Sequence, residues 1–109
     1  MNTITFRQDK EKQICGFTSV GHVGYAPSGE DIICAGVSAL VINTVNSLDR
    51  LTDAEVVVSA QEEEGRIDCS VSSYNQSDVQ LLLRSLWIGM TEIQNSYGSE
   101  YIRIIFEEV

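Results

Sequence analysis

Residues 21–38, G-H-V-G-Y-A-P-S-G-E-D-I-I-C-A-G-V-S, constrain this chain more than any other stretch. The first ten of them hold the only proline and three of the eight glycines, which forbids a regular element there and permits unusual backbone angles. The residues before this stretch alternate with period two, and those after it repeat every three to four positions. The chain must therefore pass from sheet to helix through a ten-residue irregular connection. Connections of that length are unusual in small domains and tend to carry function.

Before the loop, residues 3–8 set Ile4 and Phe6 to one side and Thr5 and Arg7 to the other, as a strand does. Asp9-Lys10-Glu11-Lys12 is a charged turn, and residues 13–20, with Cys15, return as the second strand of a hairpin. After the loop, Asp31 is placed to cap a helix that runs to residue 51. Its apolar positions are Ile33, Val37, Leu40, Val41, Thr44, Val45 and Leu48, and small residues fill its first turns. Residues 53–60 include Val56-Val57-Val58 and form a third strand. A turn at residues 62–66 uses Gly65 for its special backbone angle, and residues 67–73 come back with Ile67, Cys69 and Val71 on one face.

A second helix begins at Ser77 or Asp78 and ends at Tyr97, before Gly98. Its stripe is Val79, Leu82, Leu83, Leu86, Met90, Ile93 and Tyr97, with Trp87 beside it where a dimer surface can form. Residues 101–109 alternate around Ile102, Ile104 and Phe106 as a last strand. The order ββαββαβ predicts an α+β fold, a small mixed or antiparallel sheet with two helices on one face. At 109 residues it is expected to be one domain, residues 1–109.

Seven Lys and Arg stand against sixteen Asp and Glu, a formal net charge of −9. That balance argues against nucleic acid, whose phosphates require basic side chains, and suits a basic partner. No apolar run approaches the roughly 20 residues of a membrane span, so no membrane is expected. The opening M-N-T-I-T-F-R lacks the order of a signal peptide, and a cytoplasmic location is expected. Cys15, Cys34 and Cys69 are an odd count, which predicts free thiols rather than disulfides. With no C-x-x-C pair and one histidine, the spacing of a zinc site is missing, and no metal or cofactor is expected.

The chemistry on offer is that of His22 and Cys34, twelve positions apart. A thiol becomes a nucleophile when its thiolate is stabilised, and a helix start does so through its free N–H groups and positive dipole end. The expected helix puts Cys34 in its first turn, and the loop is long enough to bring the imidazole of His22 back over the sulfur. Ser38, four residues after Cys34, shares its face. The run Glu62-Glu63-Glu64 can be read as a solvated turn or as a grip on a basic substrate.

Gly21-His22, then Asp31, two residues, Cys34-Ala35, and Ser38 resemble the signature of the bacterial ribosomal-processing cysteine protease family, Prp. The length and the order of elements resemble that family too. The resemblance implies a homodimeric endopeptidase that removes the N-terminal extension of a large-subunit ribosomal protein, a basic substrate. It implies Cys34 as nucleophile and His22 as general base, with Gly21, Asp31 and Ser38 in support or in substrate binding. Asp31 can orient His22 or simply cap the helix; Ser38 can meet substrate or simply permit close packing. Two other readings fit the residues: an acidic, non-catalytic ribosome-associated adaptor, and a redox-sensing thiol protein. The protease needs both His22 and Cys34, the sensor needs Cys34 alone, and the adaptor needs neither.

Overall fold

Among the described residues, the two hydrophobic periods separate into a five-stranded sheet and two helices. The computed structural model describes residues 1–21 and 30–109, except the side chains of Glu30 and Asp31. Strand β1 (Asn2–Gln8) turns back as β2 (Ile14–Val20); helix α1 (Glu30–Leu51) comes next, then β3 (Val56–Gln61), β4 (Arg66–Val71), helix α2 (Ser77–Tyr97) and β5 (Ile102–Glu108). The sheet order is β3-β4-β2-β1-β5. Only β5 against β1 is parallel; β1–β2, β2–β4 and β3–β4 are antiparallel. The expected α+β fold, ββαββαβ with a mixed sheet, is the observed one.

Strand alternation sorts the faces. Ile4, Phe6, Phe17, Cys69 and Val71 lie buried beneath Ile33, Val37, Val41 and Leu48 of α1 and Val79, Leu83, Leu86 and Met90 of α2. The aromatic row continues outward: Phe6 stacks on Phe106 with centroids 5.4 Å apart, and Trp87 meets Phe106 edge-on at 5.1 Å. The helices approach each other over glycine, where a methyl at Gly89 would come within 2.9 Å of Leu40 Cδ1.

On the other face Arg7 donates to Thr18 Oγ1 at 2.8 Å and to the carbonyl of Cys69 at 2.7 Å. It thereby fastens three strands, β1, β2 and β4.

One polar side chain inside the core binds helix to sheet. Gln80, 7% exposed, accepts from the N–H of Ile14 at 2.9 Å and donates to the carbonyls of Ile14 and Tyr74, each at 2.7 Å. It acts as a short extra strand at the start of β2, where the register of β1–β2 is broken between Arg7 and Gln8. Gln80→Leu keeps the volume but leaves the Ile14 amide and carbonyl in the core without that partner. The expected loss is about 2 to 3 kcal/mol of unfolding free energy, read by urea denaturation. A loss under about 0.5 kcal/mol would remove Gln80 from this role.

The starts of α1 and β3 differ from the sequence expectation. Helix α1 begins at Glu30, so Asp31 sits inside its first turn rather than capping it. The far end of α1 is set by Thr52, whose hydroxyl donates to Leu48 O at 2.6 Å and accepts from Ala54 N at 3.2 Å. That bend delays β3 to Val56. Strand β3 is the sheet edge, leaving Val57 63% and Val58 43% exposed in spite of their strong strand propensity. Further, the window Ile32–Leu51 is 20 residues long with a mean hydropathy of 1.5, long and apolar enough by those measures to cross a bilayer. This departs from the expectation of no such run, because polar Asn43, Asn46 and Ser47 are diluted by the apolar stripe that α1 turns to the core.

Candidate active site

Three segments converge where α1 leaves the loop. The end of β2 supplies Ser19 and Gly21, the first turns of α1 supply Cys34, Val37 and Ser38, and the β3–β4 connection supplies Gln61, Glu62, Gly65 and Arg66. With Asn2 from the start of β1 they enclose a cleft of about 360 Å³. The connection is shaped by Gly65, which holds a left-handed conformation (φ 59°, ψ 35°) after a single 3₁₀ turn of Glu62–Glu64. Its carbonyl receives the N–H of Gly21 at 3.0 Å, tying that turn to the end of β2.

Cys34 is the fifth residue of α1, so it opens the second turn instead of lying in the first. Helical side chains lean toward the N-terminus, and the half-buried thiol is thus directed over the first turn. Ser38 shares the cleft with it, as the four-residue spacing requires. Gly21 lines the same cleft. His22 lies outside the described residues, as does the rest of the expected loop through residue 29, and the side chain of Asp31 lies outside them too.

Behind the cleft, on the sheet face that carries Arg7 and Thr18, charged groups pair. Arg66 pairs with Asp68, Nε to Oδ2 at 2.8 Å and Nη2 to Oδ1 at 3.2 Å, and Thr18 donates its hydroxyl to Oδ1 at 2.5 Å. The Arg66 hydrogen bonds, then that from Thr18, hold the Asp68 carboxyl below the usual carboxylate range. Asp68 is thus an anchored anion on that face, and the Arg66 guanidinium is engaged there. Glu62 of the same connection lines the cleft itself.

The other two thiols sit elsewhere. Cys69 is fully buried, and desolvation pushes its thiol up to about 11. Burial also raises the Cys15 thiol, whose Sγ donates to Arg7 O at 3.5 Å. Native protein treated briefly with iodoacetamide at neutral pH is expected to be labelled first at Cys34, and at Cys69 only after unfolding. Peptide mass mapping reads this directly, and early labelling of Cys69 would contradict its burial.

Asn2, Ser19, Gln61 and Arg66 line this cleft and had no part in the sequence reading of the site. A signal for Asn2 was present, since it breaks the apolar phase of β1 that Ile4 and Phe6 keep. A wider depression of about 840 Å³ lies between residues 9–13 and 73–75, and no cysteine lines it.

An accessible thiol in a cleft, set over the start of a helix, suits a thiol-dependent hydrolase or a redox-sensing thiol. The model of the family described as cysteine protease Prp matches residues 1–103. The ribosomal processing cysteine protease Prp of Bacillus subtilis is 29% identical over 97 residues, covering 85% of this chain and 87% of its own. Among solved structures, SMU.848 of Streptococcus mutans superposes with a TM-score of 0.88 at 26% identity, covering 100% of this chain and 99% of that one. The essential ribosomal processing protease Prp of S. aureus, with a covalently linked product peptide, gives a TM-score of 0.87 at 25% identity and covers 98% and 100%. This chain belongs to the cysteine protease Prp family and is a cysteine protease.

Proposed function

We propose that this protease is an endopeptidase that removes the N-terminal extension of a large-subunit ribosomal protein, with Cys34 as its nucleophile. The observation that carries the reading is the placement of Cys34, the one of three thiols that lines the cleft while burial disfavours the ionised form of the other two. His22 serves as general base and then as general acid. The thiolate attacks the scissile carbonyl, the proton passes through His22 to the leaving amine, and water releases the acyl group from sulfur. No cofactor enters this sequence.

The basic character of such a substrate fits the net charge of −9 and the position of Glu62 on the cleft rim. The B. subtilis and S. aureus relatives named above are described as ribosomal processing proteases, which supports the substrate class. Gly21 and Ser38 are assigned to support of the site and contact with substrate, and Asp31 to orientation of His22. The working unit is a homodimer of single 1–109 domains acting in the cytoplasm.

The test is incubation of an extended ribosomal-protein precursor with wild type, Cys34→Ala and His22→Ala, followed by intact mass. Cutting by wild type alone establishes the pair and locates the scissile bond. If all three bind the precursor and none cuts it, the acidic adaptor replaces the protease reading of this substrate. Loss on Cys34→Ala with full activity in His22→Ala would remove the base.

A further inference from the structure

Asn2 occupies a position where the strand pattern calls for an apolar residue. It is the first residue of β1, on the same face as Ile4 and Phe6, and it is only 4% exposed. Its backbone is held firmly: the N–H donates to Tyr101 O at 2.9 Å, and the residue pairs with Ile102 of β5. The side chain reaches the cleft, where Nδ2 lies 3.4 Å from Cys34 Sγ. On its other side Oδ1 sits against Gly21, so closely that a Cβ there would come within 2.6 Å. The carboxamide is thus wedged between the residue that precedes His22 and the sulfur itself.

A buried amide donor requires an acceptor, and a neutral thiol is a weak one. A thiolate is a far stronger acceptor, because the hydrogen bond becomes charge-assisted. The arrangement therefore gains when the sulfur is ionised, and by reciprocity it stabilises that anion. Cys34 opens the second turn of α1, beyond the turn in which the helix dipole acts most strongly, so a donor from another element adds what the helix start supplies less of.

We propose that Asn2 is a catalytic residue that donates a hydrogen bond to the Cys34 thiolate, holding it ionised and aimed into the cleft. This rests on Cys34 being the nucleophile. The other charged groups lining the cleft among the described residues are Glu62 and Arg66 of the β3–β4 connection, and neither changes in the variants below.

The experiment compares wild type, Asn2→Leu and Asn2→Asp, all full-length. Iodoacetamide labelling of Cys34 is followed by peptide mass mapping from pH 5 to 9, beside kcat and KM for precursor cleavage. Asn2→Leu keeps the size and loses the donor; labelling at pH 7 and kcat should each fall about tenfold, with the labelling curve moved to higher pH and KM little changed. Asn2→Asp sets a carboxylate against the thiolate and should fall further. Labelling and kcat within twofold of wild type in Asn2→Leu overturns the proposal.

Should either variant fail to fold, wild type suffices. The Asn2 side-chain amide signals in a ¹⁵N spectrum should move between pH 5 and 9, and methylthiolation of Cys34 should abolish that movement. Amide signals indifferent to both overturn the proposal. Cys34→Ala separates the two levels: if it still cuts, the nucleophile assignment fails, whereas normal Asn2 variants beside an inactive Cys34→Ala sink Asn2 alone.

Discussion

Cys34→Ala is expected to lower precursor cleavage by at least about 10⁴-fold, since removal of a nucleophile leaves only binding and backbone electrostatics. The fold should survive. Cys34 is half-buried at the cleft, and losing its sulfur removes few contacts, chiefly the hydrogen bond from Asn2. That bond is worth about 1 kcal/mol, so the melting temperature should drop by only a few degrees. Single-turnover cleavage beside a thermal melt separates the two effects. A variant that melts near wild type yet cuts at more than a hundredth of its rate would place the nucleophile elsewhere. Cys34→Ser sharpens the comparison, because the hydroxyl preserves a partner for Asn2 while being a much poorer nucleophile at neutral pH.

The second large effect concerns stability and lies on the opposite side of the sheet. Gly16→Ala should destabilise the fold by about 3 kcal/mol, at the upper end of what overpacking costs. A Cβ at residue 16 would strike the backbone oxygen of Cys69 and come within 2.6 Å of Arg7 Nη2. The guanidinium can swing away, but the carbonyl belongs to β4, which pairs with β2 at Gly16–Ser70. Relief thus requires opening the ladder at the centre of the sheet. The melting temperature should fall by on the order of 15 °C. Pairing the change with Arg7→Ala apportions the strain: rescue of less than half assigns most of it to the Cys69 carbonyl, and full rescue assigns it to the guanidinium. A drop below about 3 °C for Gly16→Ala alone would show that β2 yields freely there.

The elements most legible in the sequence were those fixed by local pattern. Ile33, Val37, Val41 and Leu48 announced α1, Val79, Leu83, Leu86 and Met90 announced α2, and these eight are buried, whereas Tyr97 at the end of the second stripe is 50% exposed. Cys34 and Ser38 share a face because four residues make about one helical turn, and they share the cleft for that reason. Cys69, which the alternation sets on one face with Val71, is buried with it in the core.

Pairings between distant strands were not legible. Nothing in Ile102, Ile104 and Phe106 specifies a parallel partner, and β5 lies beside β1 because the α2 crossover returns it there. Val56-Val57-Val58 read as a strand, but the edge position of β3 is a property of the whole sheet. Asn2 belongs to the same class. Its role arises from the meeting of β1, β5 and α1, and residue 2 alone shows only a polar break in an apolar row. The cap at Asp31 failed differently: α1 starts one residue earlier, a shift that periodicity does not register.

The parallel pairing of β1 with β5 also has a meaning in time. Asn2 is held by Tyr101 and Ile102, which are synthesised long after it. While those residues are still unmade, β1 lacks one of its two neighbours and the wall beside Cys34 has no anchor. Contacts so distant in sequence form late and slowly. The hairpin and α1 can take shape early, but the cleft is assembled last, so a protein that cuts other chains emerges blunt and is sharpened only when its own synthesis reaches β5.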